Sequence, residues 1–191
     1  MKEIQPAPYA EIAVPPTLGQ RLQDVFGLQL VPHRLGDLVG LFGRTGTEID
    51  QADLWSPAPT AHAVQMAGRS GHTNCAMDAI MLPAITGQPV ELRSECPHCG
   101  ERIEVRVADG RVRSSHSPAV MSFGLMREGD GPVQAIACPI INLFPSAEHY
   151  RAWAAATPQA ETIMLPLAAG FAMASDLVRG GNREPTEKLY G

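Results

Sequence analysis

The hydrophobic pattern of this 191-residue chain changes period twice, near Pro89 and near Ser146. Before Pro89, apolar positions recur at helical spacing. Leu18, Leu22 and Phe26 share one face, and Thr17 is placed to cap the helix that carries them. A second helix is predicted from about Pro32 to Phe42, stopped at Gly43. Residues 44–72 read as loop, with Ser56-Pro57-Ala58-Pro59 and Gly68-Arg69-Ser70-Gly71 as breakers. Asn74 is a suitable N-cap for a helix over about 75–86 that ends at Gly87, with a kink expected at Pro83.

After Pro89 the polarity alternates. Pro89 to Ser94 and Arg102 to Val107 read as strands, and Asp109-Gly110 is a hairpin signal before Arg111-Val112-Arg113. Val120 to Gly124 and Val133 to Phe144 are further apolar strand candidates. Ser146 is placed to cap a helix through Ala156, and Leu167 to Val178 is apolar at helical spacing before Gly180-Gly181. The tail 182–191 is polar and reads as loose. The fold class predicted is α+β, a mainly antiparallel core sheet over about 89–144 flanked by helices near 75–86, 146–156 and 167–178. Two units are expected: a short N-terminal arm with a helical segment over 1–60, and an α+β domain over 61–191.

Composition narrows the function classes. Hydrophobic residues make up 45% and charged residues 18%, enough to build a core, while aromatics are only 5%, so packing rests on aliphatic side chains and eight Met. The net charge of −5 comes without a basic stripe, which argues against a nucleic-acid partner. No apolar run approaches the roughly 18 residues of a membrane span, and Met1 to Ala10 holds no apolar signal-peptide core. A cytoplasmic protein is the expectation. In that compartment the four cysteines are expected as thiols or metal ligands rather than disulfides.

The chemistry concentrates in Asn74-Cys75-Ala76-Met77-Asp78 and in a distant Cys138. A thiol just after a helix N-cap sits near the positive end of the helix dipole, which favours the thiolate, the form that binds soft metals. Asp78 lies over the same face one turn on, where like charge and burial raise a carboxyl pKa and fit it to hold and pass a proton. From spacing alone, the commoner reading is a structural Cys and an Asp that complements the dipole. Cys138 reads as lying in a core strand, where an unreactive buried thiol is also common; Pro139 argues for an edge or bulge that lets the sulfur face a cavity. Cys96-Pro97-His98-Cys99 is a lone CxxC between two strands. It suits a tight turn, a metal site with zinc as the candidate ion, or a redox pair. His72 is near enough to Cys75 in sequence to line the same site.

These residues resemble the alkylmercury (organomercurial) lyase family. Cys75-Ala-Met-Asp78-Ala-Ile-Met-Leu-Pro83-Ala-Ile-Thr-Gly87 is similar to that family's helix bearing a catalytic Cys and Asp. Arg93-Ser-Glu-Cys96 resembles its strand reaching a structural Cys, and Ala137-Cys138-Pro139-Ile-Ile-Asn142-Leu-Phe144-Pro-Ser146 its segment with the second catalytic Cys. The similarity covers about 72–178. Where the family usually has aromatics before the first Cys, this chain has His72, Thr73 and Asn74, and Cys99 is an addition.

The resemblance implies a carbon–mercury lyase with Cys75, Asp78 and Cys138 as catalytic residues. Cys75 and Cys138 would hold Hg(II) as bound product, with no organic cofactor. The substrate would be a small organomercurial, and external thiols or a mercury reductase would take the metal. Cys96 and Cys99 remain a second place for a metal such as zinc. The alternatives are a non-catalytic thiolate protein binding zinc or copper, and a relative on the same scaffold with other chemistry.

Overall fold

The structure, a computed structural model, describes residues 1–4 and 8–181. Its chain order begins with β1 (Lys2–Ile4), α1 (Pro16–Phe26), α2 (Leu35–Phe42), β2 (Trp55–Ser56), β3 (His62–Met66), β4 (Arg69–Thr73) and α3 (Ala76–Thr86). It continues with β5 (Val90–Glu95), β6 (Arg102–Ala108), β7 (Arg111–Ser114), β8 (Val120–Met126), α4 (Val133–Ile136) and β9 (Leu143–Phe144). α5 (Ala147–Ala155), β10 (Ala160–Pro166) and α6 (Leu167–Gly181) complete it. The strands form two antiparallel sheets, β1-β7-β6-β5-β3-β4-β2 and β10-β8-β9. The fold is α+β with antiparallel sheets flanked by helices, as the change of period at Pro89 and Ser146 predicts.

The larger sheet follows from period-two alternation. Val90, Leu92 and Ser94 of β5 and Ile103, Val105 and Val107 of β6 point into the core, and the residues between them face solvent. Leu92 stands opposite Val105 in register. On the outer face Arg93 meets Glu104 at 3.9 Å and Arg106 meets Glu91 at 4.0 Å, exposed pairs that fix register more than they stabilise. The hairpin between β6 and β7 turns at Asp109 and Gly110, both left-handed at φ 53° and 70°, the pair of conformations a two-residue type I′ turn needs.

β8 is buried along nearly its whole length, between its strand neighbours and the helices α1, α5 and α6. Such a strand reads as a continuous apolar run rather than an alternation. α3 packs against α6 on one side and against the larger sheet on the other, with Ala76, Ala79, Ile80 and Leu82 fully buried. This sandwiched helix carries the first candidate cysteine.

Several expectations are corrected. The stretch 44–72 is not all loop: β2, β3 and most of β4 fall in it, short strands around the Pro and Gly breakers that finish one edge of the larger sheet. Thr17 is not a cap; α1 starts a residue earlier with Pro16 in its first turn, where the missing N–H costs nothing. α2 begins at Leu35 rather than near Pro32, because the Asp37 carboxylate accepts the N–H groups of His33 and Arg34 at 3.1 and 2.9 Å and fixes the start. α3 continues as one helix through Pro83 and, as the sequence predicts, ends in a left-handed Gly87 at φ 68°. Val133 to Phe144 is not one strand but α4, a single 3₁₀ turn over Cys138–Ile140, and the two-residue β9. Residues 182–191, expected to be loose, lie outside the described residues.

Candidate active site

Cys75, not Asn74, is the N-cap of α3, with extended backbone at φ −148° and ψ 177°. Asp78, three residues on, reaches back so that its Oδ2 accepts the Cys75 N–H at 3.2 Å, while the Cys75 sulfur faces the Asp78 N–H. This is a capping box with a thiol in the place usually held by Ser or Thr. The Cys-x-x-Asp spacing thus caps the helix and holds the thiol beside the carboxyl with one piece of geometry. Thr73 donates its hydroxyl to the Cys75 carbonyl at 2.9 Å, and Asn74 donates its side-chain amide to the Asp53 carbonyl at 2.8 Å.

The second cysteine arrives on the turn after α4. Pro139 is the second residue of this tight turn and cannot donate a ladder hydrogen bond, which suits it to a 3₁₀ turn better than to the strand expected from the apolar run. Ser122 of β8 pins the segment: its hydroxyl donates to the Ile140 carbonyl at 2.6 Å and accepts the Asn142 N–H at 2.9 Å. The Ala76 N–H then donates to the Ile141 carbonyl at 3.2 Å, joining this segment to the start of α3. The result is a Cys138 thiol aimed at Asp78 Oδ2, 3.8 Å away, and a donor atom from each of Cys75, Asp78 and Cys138 within 4.8 Å of the others.

The three groups line a cavity of about 370 Å³ whose other walls are largely apolar. Val25 and Phe26 of α1, Phe42 of α2, Met81 of α3, Phe123 of β8 and Leu177 of α6 contribute to it. The N-terminal helices therefore roof a site whose reactive groups come from elsewhere, a role their amphipathic pattern did not disclose. Burial pushes the Asp78 carboxyl up to about 6, against the pull of hydrogen bonds from Asn74, Cys75 and Cys138. Burial also pushes the Cys75 thiol well above its usual range, and the neighbouring Cys138 and Asp78 push the same way. This overturns the expectation that the helix terminus would hold Cys75 as a thiolate. A dipole effect of about 0.3–1 kcal/mol is small beside the cost of burying an anion.

The other sequence-predicted residues are placed elsewhere. His72 on β4 does not line the Cys75 cavity; its ring is held at the Thr60 backbone. Cys96 and Cys99 bracket the turn between β5 and β6, away from that cavity. Gly100, left-handed at φ 74°, donates its N–H to the Cys96 carbonyl at 2.8 Å, so the tight reversal expected from Pro97 and Gly100 is present. A second hollow of about 360 Å³ also borders Cys138, lined by His62, Asn74, Pro139 and Asn142 among others. Burial lowers the His62 imidazole to about 4, so it is neutral, and its Nδ1 lies 2.9 Å from the Ser94 hydroxyl. Nothing in the local sequence singled out His62, an apolar-strand histidine.

The chain has known relatives. The family model for alkylmercury lyase matches residues 55–179. The chain belongs to the alkylmercury lyase family. An alkylmercury lyase of Pseudomonas putida is 28% identical over 112 residues, 59% of this chain and 53% of that protein. One of Streptomyces lividans is 24% identical over 119 residues, 62% of this chain and 54% of that protein. The chain thus spans about half the length of the relatives it matches. Among solved structures, the mercury-bound form of MerB2 superposes with a TM-score of 0.59 at 16% identity, over 87% of this chain and 100% of that one, a likeness of fold. The family match begins at Trp55 and so takes in β2–β4, which the resemblance from about residue 72 onward left out.

Proposed function

We propose that this chain cleaves the carbon–mercury bond of small organomercurials by protonolysis, with Cys75, Cys138 and Asp78 as the catalytic residues. The observation that carries the reading is the convergence of two thiols and one proton-holding carboxyl within 4.8 Å in a cavity with largely apolar walls. Thiolates are soft ligands suited to a soft metal, and the apolar walls suit the organic group.

The chemistry follows from the geometry. The substrate enters as R–Hg–SR′, a mercury already carrying a small thiolate. Cys138, which also borders the second hollow, exchanges with that thiolate; its proton leaves on R′SH and R–Hg is bound to Cys138. Cys75, held as a thiol by burial, then gives its proton to Asp78 and its sulfur to the mercury. Two sulfur donors raise the electron density on the carbon. Asp78 returns the proton to that carbon, the Hg–C electron pair becomes the new C–H bond, and R–H leaves. Hg(II) remains on the two sulfurs, with the carboxylate restored. No organic cofactor enters this balance, and an external dithiol or a mercury reductase would remove the product.

Cys96 and Cys99 stand outside this sequence of steps. The double Cys96→Ser, Cys99→Ser variant is expected to lose some stability and any zinc held there, and to keep carbon–mercury cleavage. The need for free thiols fits a reducing compartment, the cytoplasm. In this reading α1 and α2, from the N-terminal segment over 1–60, roof the site, and the α+β domain over 61–191 supplies its reactive groups. The direct test is incubation with phenylmercury and excess thiol, with benzene assayed. Catalytic benzene release lost in both the Cys75→Ser and Cys138→Ser variants is expected; release that survives either change rules the assignment out.

A further inference from the structure

Away from the Cys75 cavity, Cys99, Glu101 and His149 each present a donor atom within 4.8 Å of the other two. We propose that these three side chains form a second metal site, for a zinc-class divalent ion, that ties the β5–β6 turn to helix α5.

Each donor is already held from behind. Cys99 sits on a knuckle whose turn is closed by the Gly100 N–H to Cys96 carbonyl bond. Glu101 Oε1 is paired at 2.9 Å with His116 Nε2, and His116 Nδ1 meets the Ser115 hydroxyl at 2.9 Å. His149 Nδ1 lies 2.8 Å from the Ser146 hydroxyl, which leaves Nε2 as the ring nitrogen for a metal. Partners of this kind orient metal ligands and fix the imidazole tautomer.

The distances and charges fit. Around a tetrahedral zinc at roughly 2.0–2.3 Å from its ligands, donor atoms stand about 3.5 Å apart, so each donor here need move inward by less than about 1 Å. A thiolate and a carboxylate neutralise a divalent ion, and the imidazole adds no charge. Mixed S, N and O donors suit zinc and not magnesium or calcium, which take oxygen. Cys99 and Glu101 are exposed, so the site has an entry path and a fourth position open to water. The sequence alone suggested the CxxC pair; the fold instead joins one of its cysteines to a glutamate two residues on and to a histidine 50 positions away.

The site is independent of the proposed lyase chemistry and is testable apart from it. The metal-free, fully reduced chain is titrated with Zn(II) against a chromophoric chelator, and with Co(II) to read the thiolate-to-metal band in the near ultraviolet. In the Cys75→Ser, Cys138→Ser double variant, which removes the thiols of the cavity, one equivalent should still bind, because those cysteines are not ligands here. In that background Cys99→Ser and His149→Ala should each weaken Zn(II) by at least about 100-fold, and Cys99→Ser should abolish the cobalt band. Circular dichroism of both variants verifies that they are folded, which the exposure of Cys99 favours. Absence of Zn(II) binding by the parent chain, binding unchanged in folded Cys99→Ser or His149→Ala, or binding lost with Cys75 and Cys138, would overturn the proposal.

Discussion

The Sγ of Cys138 lies 3.8 Å from Oδ2 of Asp78, across 60 positions of sequence. The same oxygen accepts the Cys75 N–H at 3.2 Å. One carboxylate oxygen is therefore wired both to the cap of α3 and to the thiol that arrives on the 3₁₀ turn. In the proposed reaction this oxygen takes a proton from sulfur and returns it to carbon.

Replacing that proton carrier should separate binding from cleavage. Asp78→Asn keeps an oxygen able to accept the Cys75 N–H, so α3 stays capped and both sulfurs stay in place. Mercury is expected to bind one per chain, and hydrocarbon release in a single turnover should slow by at least about 100-fold. Single-turnover gas chromatography measures the release; a rate equal to that of the parent chain would remove Asp78 from its assigned role.

Asp78 also sets a pH dependence. Its carboxyl is raised from 3.8 to about 6, so the folded chain holds this proton more tightly than the unfolded chain does. The resulting stability is full below pH 3.8 and is lost as pH rises through about 6. Asp78→Asn should therefore gain up to about 3 kcal/mol on the parent at pH 7, and little at pH 4. Urea titrations at the two pH values check this. The rate should move the opposite way: the carboxylate must be ionised to take the Cys75 proton, so kcat/KM falls about tenfold per unit below pH 6.

The two cysteines should fail differently. Cys138 borders both hollows, whereas Cys75 is buried and held as a thiol. Cys75→Ser should still capture the organomercurial on Cys138 and stall there, visible by intact-mass spectrometry as a protein carrying R–Hg. Cys138→Ser should capture far more slowly. Equal, rapid capture by both variants would mean that the order of thiol engagement is wrong.

The roof should govern the organic group. Val25 and Phe26 of α1 face the same cavity as the three reactive groups. Val25→Trp fills part of its roughly 370 Å³ and should lower kcat/KM for phenylmercury at least about tenfold more than for methylmercury, since a bulky group excluded from an apolar pocket loses on the order of 1–3 kcal/mol. Competition between the two substrates in one vessel measures the ratio.

Much of this was legible in the sequence, and the failures have physical causes. The helix bearing Cys75 and Asp78 was plain because an apolar run closed by Gly87 has few other solutions. The cap was misplaced by one residue because a thiol is not among the preferred caps; Asp78 reaching back compensates for it. Period alone places Cys138 in a strand, because a buried turn and a buried strand leave the same apolar run. The β2–β4 edge carries no readable period because its strands are two to five residues long and lie among Ser, Gly and Pro. The pairing of Cys99 with His149 rests on contacts between distant elements, which no local pattern encodes.

The central claim is that two cysteines and one aspartate convert a bound organomercurial into hydrocarbon and protein-held Hg(II). A single turnover without external dithiol tests it most directly. The fully reduced chain is mixed with one equivalent of a phenylmercury thiolate, and benzene and protein-bound metal are both quantified. The account predicts about one benzene per chain, with bare mercury retained on a protein in which Cys75 and Cys138 no longer react with thiol reagents. Phenylmercury recovered intact on the protein, with no benzene formed, would contradict it.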